Sequence, residues 1–298
     1  MSLPENSIYF VESVINESRQ LIDRGVWDIR MARFDSWIKQ FCGPEEEYFC
    51  ACLLDQLTFR TTQQFEASLR SLFRSNLNGK IFTEFSDLEL LGKLEERKDQ
   101  RLRVVPVICE SDPPTKSGPL VLRRLQRILQ IRQKWMCWPW QAAEMIHKNE
   151  VDIIIFVDDF LGSGVQFERF FKQWKFHETS EEVSYFYAPV VAHQQGIKHI
   201  STKLPFVRVT SAETLNVSHG FFDDAVWNQL GQGCVSANDA KIWYGTFTEH
   251  HGIRPRDMEL GVGDLALTFG FSHSTPNNSL PILWYENEQT GWQPILER

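Results

Sequence analysis

The chain lacks several features that would each mark a broad class of protein. No window of about 18 residues is apolar throughout, so the sequence predicts no membrane-spanning helix. Its first ten residues, MSLPENSIYF, contain neither a basic segment nor an apolar run. We therefore expect no secretory signal and a cytoplasmic location.

Cysteine is scarce and scattered. None of the six cysteines forms a CxxC pair, so the sequence predicts neither a zinc site nor a thioredoxin-type motif. Cys50 and Cys52 fall in a helical pattern that separates their side chains by about 200°, which is poor geometry for chelation. We expect reduced thiols, as in cytosolic proteins.

A net positive charge is also missing. The chain carries 31 Lys and Arg against 39 Asp and Glu, a formal charge of −8, with a pI near 5.6. Non-specific nucleic-acid binding needs a basic surface, so we expect no broad binding of that kind. A local basic patch remains possible at Arg123, Arg124, Arg127 and Arg132.

The most informative stretch that is present is Val151 to Phe167, VDIIIFVDDFLGSGVQF. Its run IIIFVD is β-branched and shows no alternation, which is typical of a strand buried on both faces in a parallel sheet. We expect this strand to end at Asp158 and Asp159. A Gly/Ser turn and a helix-like run, VQFERFFKQW, follow.

A strand, an acidic pair, a small-residue turn and a helix can together build a binding site. Backbone N–H groups of the turn and of the helix N-terminus can hold a phosphate, and Ser163 can add a hydroxyl donor. Asp158 and Asp159 can accept hydrogen bonds from a vicinal diol or hold Mg²⁺. A diol beside a phosphate is a ribose 5-phosphate. The alternative is a buried strand capped by a turn, with Asp159 as an ordinary helix-entry residue.

A second strand–loop–helix unit precedes this one. Residues 103–109, RVVPVIC, predict a strand, and Pro106 within it favours an edge position or a bulge. A turn-rich loop follows at 110–118, and a helix is expected from Pro119.

The order of elements predicts an α/β fold with a parallel sheet and right-handed crossovers. Ligands of such sheets bind at the carboxyl ends of the strands, where loops 110–118, 158–166 and 192–196 would all open. His193 would lie there, either as a ligand contact or in a structural role.

Three domains are expected. A helical N-terminal subdomain at 1–100 would pack on an α/β core at 101–215. A C-terminal extension at 216–298 would contain helices and irregular β structure.

The central stretch resembles the motif of the type I phosphoribosyltransferases, here IIFV-DD-FL-GSGVQ. The resemblance implies a Rossmann-like core in which Asp158 and Asp159 hold the ribose of phosphoribosyl pyrophosphate (PRPP) with Mg²⁺. It implies that the 5′-phosphate is wrapped by Gly162, Ser163, Gly164, Val165 and Gln166. It also implies that Lys116, Ser117 and Gly118 form a pyrophosphate loop, against the alternative of an ordinary surface loop.

A longer resemblance covers about residues 30–298. Three segments are similar to bacterial phosphoribosyltransferase-like proteins of antiphage conflict systems, some of them retron-linked. They are FVDDFLGSG, STPNNSLPILW and a final W-x-P-h, in which h is an apolar residue. This similarity implies a defence role, with a possible protein partner or homo-oligomer.

The sequence departs from the salvage enzymes at three points. Gly162 occupies the position at which those enzymes have an acidic residue, and Gln166 replaces the Thr that usually ends their loop. No Lys/Arg-rich loop lies between residues 118 and 151. Three hypotheses follow: a phosphoribosyltransferase, a non-catalytic sensor of PRPP or nucleotide, and a partner-binding protein. The sequence does not indicate which molecule would accept the phosphoribosyl group.

Overall fold

The computed structural model describes residues 2–77, 101–179, 183–255 and 258–298. The part of the predicted N-terminal subdomain at 78–100 lies outside these ranges. Two compact units are present, one formed by Met1–Thr62 with Asn216–Arg298, and the other by Gln63–Leu215. The three-domain division expected from the sequence stays a prediction.

Helices and strands alternate through most of the chain. The α-helices are α1 Ser7–Asp23, α2 Met31–Ile38, α3 Pro44–Asp55, α4 Thr62–Ser71, α5 Ser117–Leu129, α6 Pro139–His147, α7 Val165–Gln173, α8 Gln194–Lys203, α9 Asp224–Leu230 and α10 Ala237–His250. The strands are β1 Thr58–Arg60, β2 Leu102–Pro106, β3 Ile153–Leu161, β4 Ser184–His193, β5 Val207–Val209, β6 Glu213–Leu215 and β7 Phe269–Phe271. A π-helical segment, Leu72–Leu77, follows α4.

The unit at 63–215 is built on a parallel sheet. Its strand order is β2-β3-β4-β5, and β6 pairs with the distal part of β4. The described strand pairs of this sheet are all parallel, which confirms the predicted α/β fold. The apolar start of β3 is buried throughout, as its unbroken Ile-Ile-Ile-Phe-Val run predicts.

The predicted end of the central strand was wrong. β3 continues through Asp158 and Asp159 to Leu161, because β4 is long enough to pair with it over this whole length. β2, in contrast, stops where Pro106 pairs with Val157. The acidic pair therefore lies inside a paired strand, with β4 on one side and the loop that follows β2 on the other.

One face of this sheet is covered by aromatic residues. Phe156 lies at the centre of the cluster, with ring centroids 5.1–6.0 Å from its neighbours Phe167, Phe170, Phe171, Phe176 and Tyr185. Three of these phenylalanines belong to α7, so the helix that follows the Gly/Ser turn is fixed to the sheet by its apolar face.

The other unit combines helices with a two-stranded parallel sheet. β1 pairs with β7, although Thr58 and Phe269 are far apart in sequence. Phe41 packs against Phe247 and Trp292 in its core. Ser236 and Asp223 accept hydrogen bonds from backbone N–H groups at the starts of α10 and α9, respectively.

β1 was missed by the sequence analysis, because three residues between two helices give little periodicity. Among the helices of the described ranges, none combines the length and apolarity that crossing a membrane requires.

Candidate functional site

The acidic pair is buried at the carboxyl-terminal half of β3. Asp158 is 2% exposed and Asp159 8%. Ser117 Oγ donates a hydrogen bond of 3.1 Å to Asp158 Oδ1, and the backbone N–H of Asp159 donates to the same oxygen at 3.0 Å. Buried carboxylates are costly unless they are hydrogen-bonded, and these donors partly offset that cost.

Burial, followed by the charge of Asp159, raises the pKa of Asp158 well above its usual range. The charge of Lys116 and the hydrogen bonds from Asp159 N–H and Ser117 oppose this shift without reversing it. Two adjacent buried acids disfavour each other's ionisation, and a cation placed beside them would favour their charged forms.

Tyr187 is a site neighbour that the sequence analysis did not single out. It lies on β4 opposite Phe156, which makes it a diagonal neighbour of Asp158, and the two side chains interact electrostatically. Its ring is 1% exposed and stacks on Phe167, with centroids 3.8 Å apart. Burial first, then the charges of Asp158 and Asp159, raise the pKa of the phenol. The pairing register of β3 with β4 brings this residue to the acidic pair, and that register cannot be predicted from a single sequence.

Residues 116–118 lie at the start of α5, which begins two residues before the predicted Pro119. Ser117 is its first residue, and Lys116 immediately precedes the helix. Lys116 Nζ donates a hydrogen bond of 3.1 Å to Gln166 Oε1, while Gly118 is buried in the first turn. Lys116 and Ser117 of the predicted pyrophosphate loop therefore contact the start of α7 and the acidic pair, respectively.

The predicted phosphate segment at 162–166 consists of a turn at 162–164 and the first two residues of α7, which begins at Val165. Gly164 has a φ of +87°, a left-handed conformation that favours glycine, and a Cβ there would lie 2.9 Å from His199 Cβ. A Cβ on Gly196 would lie 2.2 Å from the Gly162 carbonyl oxygen. The turn is thus packed against α8, and Ser163 and Gln166 remain half-buried.

A charged network joins α7 to α8 behind this turn. Glu168 lies in the first turn of α7 and accepts hydrogen bonds from Lys172 Nζ at 2.5 Å and from the His199 ring at 2.6 Å. The hydrogen bonds from Lys172 and His199 lower the pKa of Glu168. Sequence analysis missed Gly196 and His199, since their role arises from contact between two helices.

His193 has a structural contact. It is 2% exposed at the end of β4, and its Nδ1 accepts a hydrogen bond from the Gln195 backbone N–H at 3.1 Å. The ring therefore caps α8, which favours the structural alternative.

Asp158 and Asp159 have the donor chemistry that Mg²⁺ prefers. This ion is commonly held by one or two carboxylates together with ligand phosphates and water. In the described ranges, no three His, Cys, Asp or Glu side chains group into a metal site made by the protein alone. The pair fits an ion that arrives with a phosphorylated ligand.

A parallel α/β unit that brings an acidic pair, a glycine turn and a basic helix start together is phosphoribosyltransferase-like. The comparison with protein families is specific: residues 34–298 match the PRTase-CE family. The match spans most of the chain, and the protein belongs to this family.

Other comparisons are more distant. No curated protein matches the chain. Nine chains of solved structures match, among them orotate phosphoribosyltransferase from Aeropyrum pernix, at 12% sequence identity and a TM-score of 0.30. That match covers 57% of this chain and 77% of the other. A score this low carries no argument about function.

Proposed function

We propose that the protein binds PRPP, or a ribonucleotide through its 5′-phosphate, together with Mg²⁺. One observation carries the proposal. Lys116 contacts Gln166 and Ser117 contacts Asp158, each at 3.1 Å, so the three segments to which the family resemblance gives roles for pyrophosphate, ribose and phosphate meet in one place. These contacts support a shared site, because they bring a cationic side chain and a hydroxyl to the acidic pair and to the start of α7.

Each segment offers chemistry suited to part of such a ligand. The turn at 162–166 and the N-terminus of α7 would hold the 5′-phosphate through backbone N–H groups. Asp158 and Asp159 would accept hydrogen bonds from the ribose hydroxyls and hold Mg²⁺, which would supply positive charge for the pyrophosphate. Lys116 would add a second positive charge at the same end of the ligand.

If the protein is a transferase, its reaction breaks or forms a bond at ribose C1 through an oxocarbenium-like transition state. The side chains would then act mainly by orientation and electrostatics. The buried carboxylates would lie close to the developing positive charge of the ribose. Lys116 would neutralise charge on the departing pyrophosphate.

A non-catalytic sensor is the second candidate. The resemblance to phosphoribosyltransferases implies a flexible basic loop that closes over pyrophosphate. Between α5 and β3 the chain instead forms a short 3-10 turn, Gln133–Trp135, and α6. Without such a loop between α5 and β3, water would have access to the ligand from this side, which favours recognition without turnover.

The biological setting proposed for either candidate is a bacterial antiphage conflict system, with a protein partner or a second copy of the chain as an associated component. The resemblance of STPNNSLPILW and the final tryptophan segment to such proteins supports this setting.

Calorimetric titration with PRPP and Mg²⁺ tests the proposal. Binding should weaken by about 100-fold or more in the double variant Asp158→Asn/Asp159→Asn, since charged hydrogen bonds contribute roughly 1.5–3 kcal/mol each. Asp223→Asn/Asp224→Asn is the matched control, because it removes the same charge from an acidic pair in the other unit and Asn still caps α9.

Release of pyrophosphate with a panel of bases and nucleotides then separates the candidates. Binding with release identifies a transferase, and binding without release supports the sensor. A folded wild-type protein that binds neither PRPP nor a nucleotide would refute the proposed function.

A further inference from the structure

Two donors hold the Asp158 carboxyl, and the Tyr187 side chain lies beside it. The Asp159 backbone N–H belongs to β3 itself and Ser117 Oγ comes from the start of α5. The Tyr187 phenol approaches from β4 and interacts electrostatically with the carboxyl. A carboxyl flanked by groups from three elements has little freedom to rotate.

The Tyr187 ring is itself held rigidly. In the β3–β4 register, Phe156 lies opposite Tyr187 and Asp158 lies opposite Pro189, so Tyr187 is a diagonal neighbour of Asp158 on one face of the sheet. The ring stacks on Phe167 at an interplanar angle of 9°. Phe167 belongs to α7, the helix whose first residues lie in the proposed phosphate-binding segment 162–166.

We propose that Tyr187 is the positioning residue of the acidic pair: its hydroxyl, with Ser117, orients the Asp158 carboxyl for the ribose-bearing ligand. The assignment rests on the proposed function and adds a residue to it. Through its stacking on Phe167, Tyr187 also fixes the distance between Asp158 and the proposed phosphate-binding segment 162–166. A ligand that needs both groups then meets a site that is oriented before it binds.

A matched control lies two residues earlier on the same strand. Tyr185 is 0% exposed, packs in the same aromatic cluster and donates its hydroxyl to the Phe176 carbonyl at 3.2 Å. Tyr185→Phe removes a buried phenol hydroxyl just as Tyr187→Phe does, but its donor does not reach Asp158.

The test measures the affinity for PRPP with Mg²⁺ and the unfolding temperature of both variants. Tyr187→Phe should weaken binding about tenfold, the usual effect of one lost oriented polar contact, while Tyr185→Phe stays within about twofold. Both should lower the unfolding temperature to a similar extent. Ser117→Ala, at a half-buried position, should weaken binding in the same direction and gives a second variant with an intact core.

Equal losses of affinity in the two tyrosine variants would show a structural role for Tyr187 and overturn the assignment, as would unchanged binding by Tyr187→Phe. A wild-type protein that does not bind would refute the proposed function and this assignment together.

A double-mutant cycle in unfolding free energy between Tyr187→Phe and Asp158→Ala needs no ligand. Non-additive effects support the Tyr187–Asp158 contact, and additive effects overturn it.

Discussion

Lys116 and Gln166 are joined by a hydrogen bond of 3.1 Å across 50 positions of the sequence. Lys116 precedes α5, which follows the edge strand β2, and Gln166 lies in the first turn of α7, which follows β3. The contact joins the loops after two neighbouring parallel strands, where ligands of such sheets bind.

Lys116→Met should reduce the affinity for PRPP by about tenfold or more, because a charged hydrogen bond to phosphate is lost. Titrations with PRPP and with ribose 5-phosphate show which phosphate group of the ligand Lys116 contacts. A larger loss for PRPP assigns Lys116 to the pyrophosphate, and an equal loss assigns it to the 5′-phosphate. Lys203→Met, at the exposed end of α8, is the control. Unchanged binding of both ligands would remove Lys116 from the site.

Gly196→Ala should destabilise the protein even though alanine favours helices. In an open helical position this change stabilises by up to about 1 kcal/mol. Here the new Cβ would lie 2.2 Å from the Gly162 carbonyl oxygen, so the turn must shift. We expect a loss of roughly 1–3 kcal/mol in urea unfolding, the range for overpacking. Lys198→Ala, exposed on the same helix, should change stability little. A gain in stability by Gly196→Ala would contradict the packing of the turn on α8.

Asp158→Asn should raise the unfolding temperature near neutral pH while it weakens ligand binding. The side chain is 2% exposed beside Asp159, so the charged form is penalised, and the amide oxygen of Asn can still accept from Ser117. Sites that bind charged ligands often sacrifice stability in this way. Differential scanning calorimetry of wild type and variant checks the first part. A lower unfolding temperature would show that the carboxylate stabilises the fold.

His251 should make the protein less stable in mild acid. Burial, helped by the charge of His250 and opposed by Glu46, lowers the pKa of the imidazole below its ordinary 6.5. A folded-state pKa below the unfolded value gives stability that is complete above the unfolded pKa and is lost as the pH falls from the unfolded pKa through the folded pKa. The ring packs on Phe247 at 4.3 Å, so His251→Phe keeps the aromatic contact.

The variant's unfolding temperature should therefore decrease less than that of wild type between pH 7.5 and pH 5. His219→Phe, an exposed histidine, is the comparison. Parallel decreases in wild type and His251→Phe would refute the linkage.

The sequence was sufficient for the local parts of this site. A buried β-branched run predicted β3, and the Gly/Ser turn and the helix after it followed from residue preference. The end of β3 could not be predicted, because Asp158 and Asp159 are poor strand residues in isolation and pairing with β4 overrides that preference. Tyr187, Gly196 and His199 have roles set by register and by helix contact, which are non-local. Pairing of β1 with β7 was missed for the same reason.

The parallel pairing of Thr58 with Phe269 has a consequence for synthesis. Its two strands flank the whole site-bearing unit in the sequence, so that unit is an insertion within the other one. During translation, residues 63–215 leave the ribosome before β7 does and can fold while β1 has no partner strand. Closing so long a loop raises the contact order of the outer unit, which slows its folding. Pulse-labelled nascent chains should accordingly acquire protease resistance within residues 63–215 before they acquire it at the amino-terminal helices.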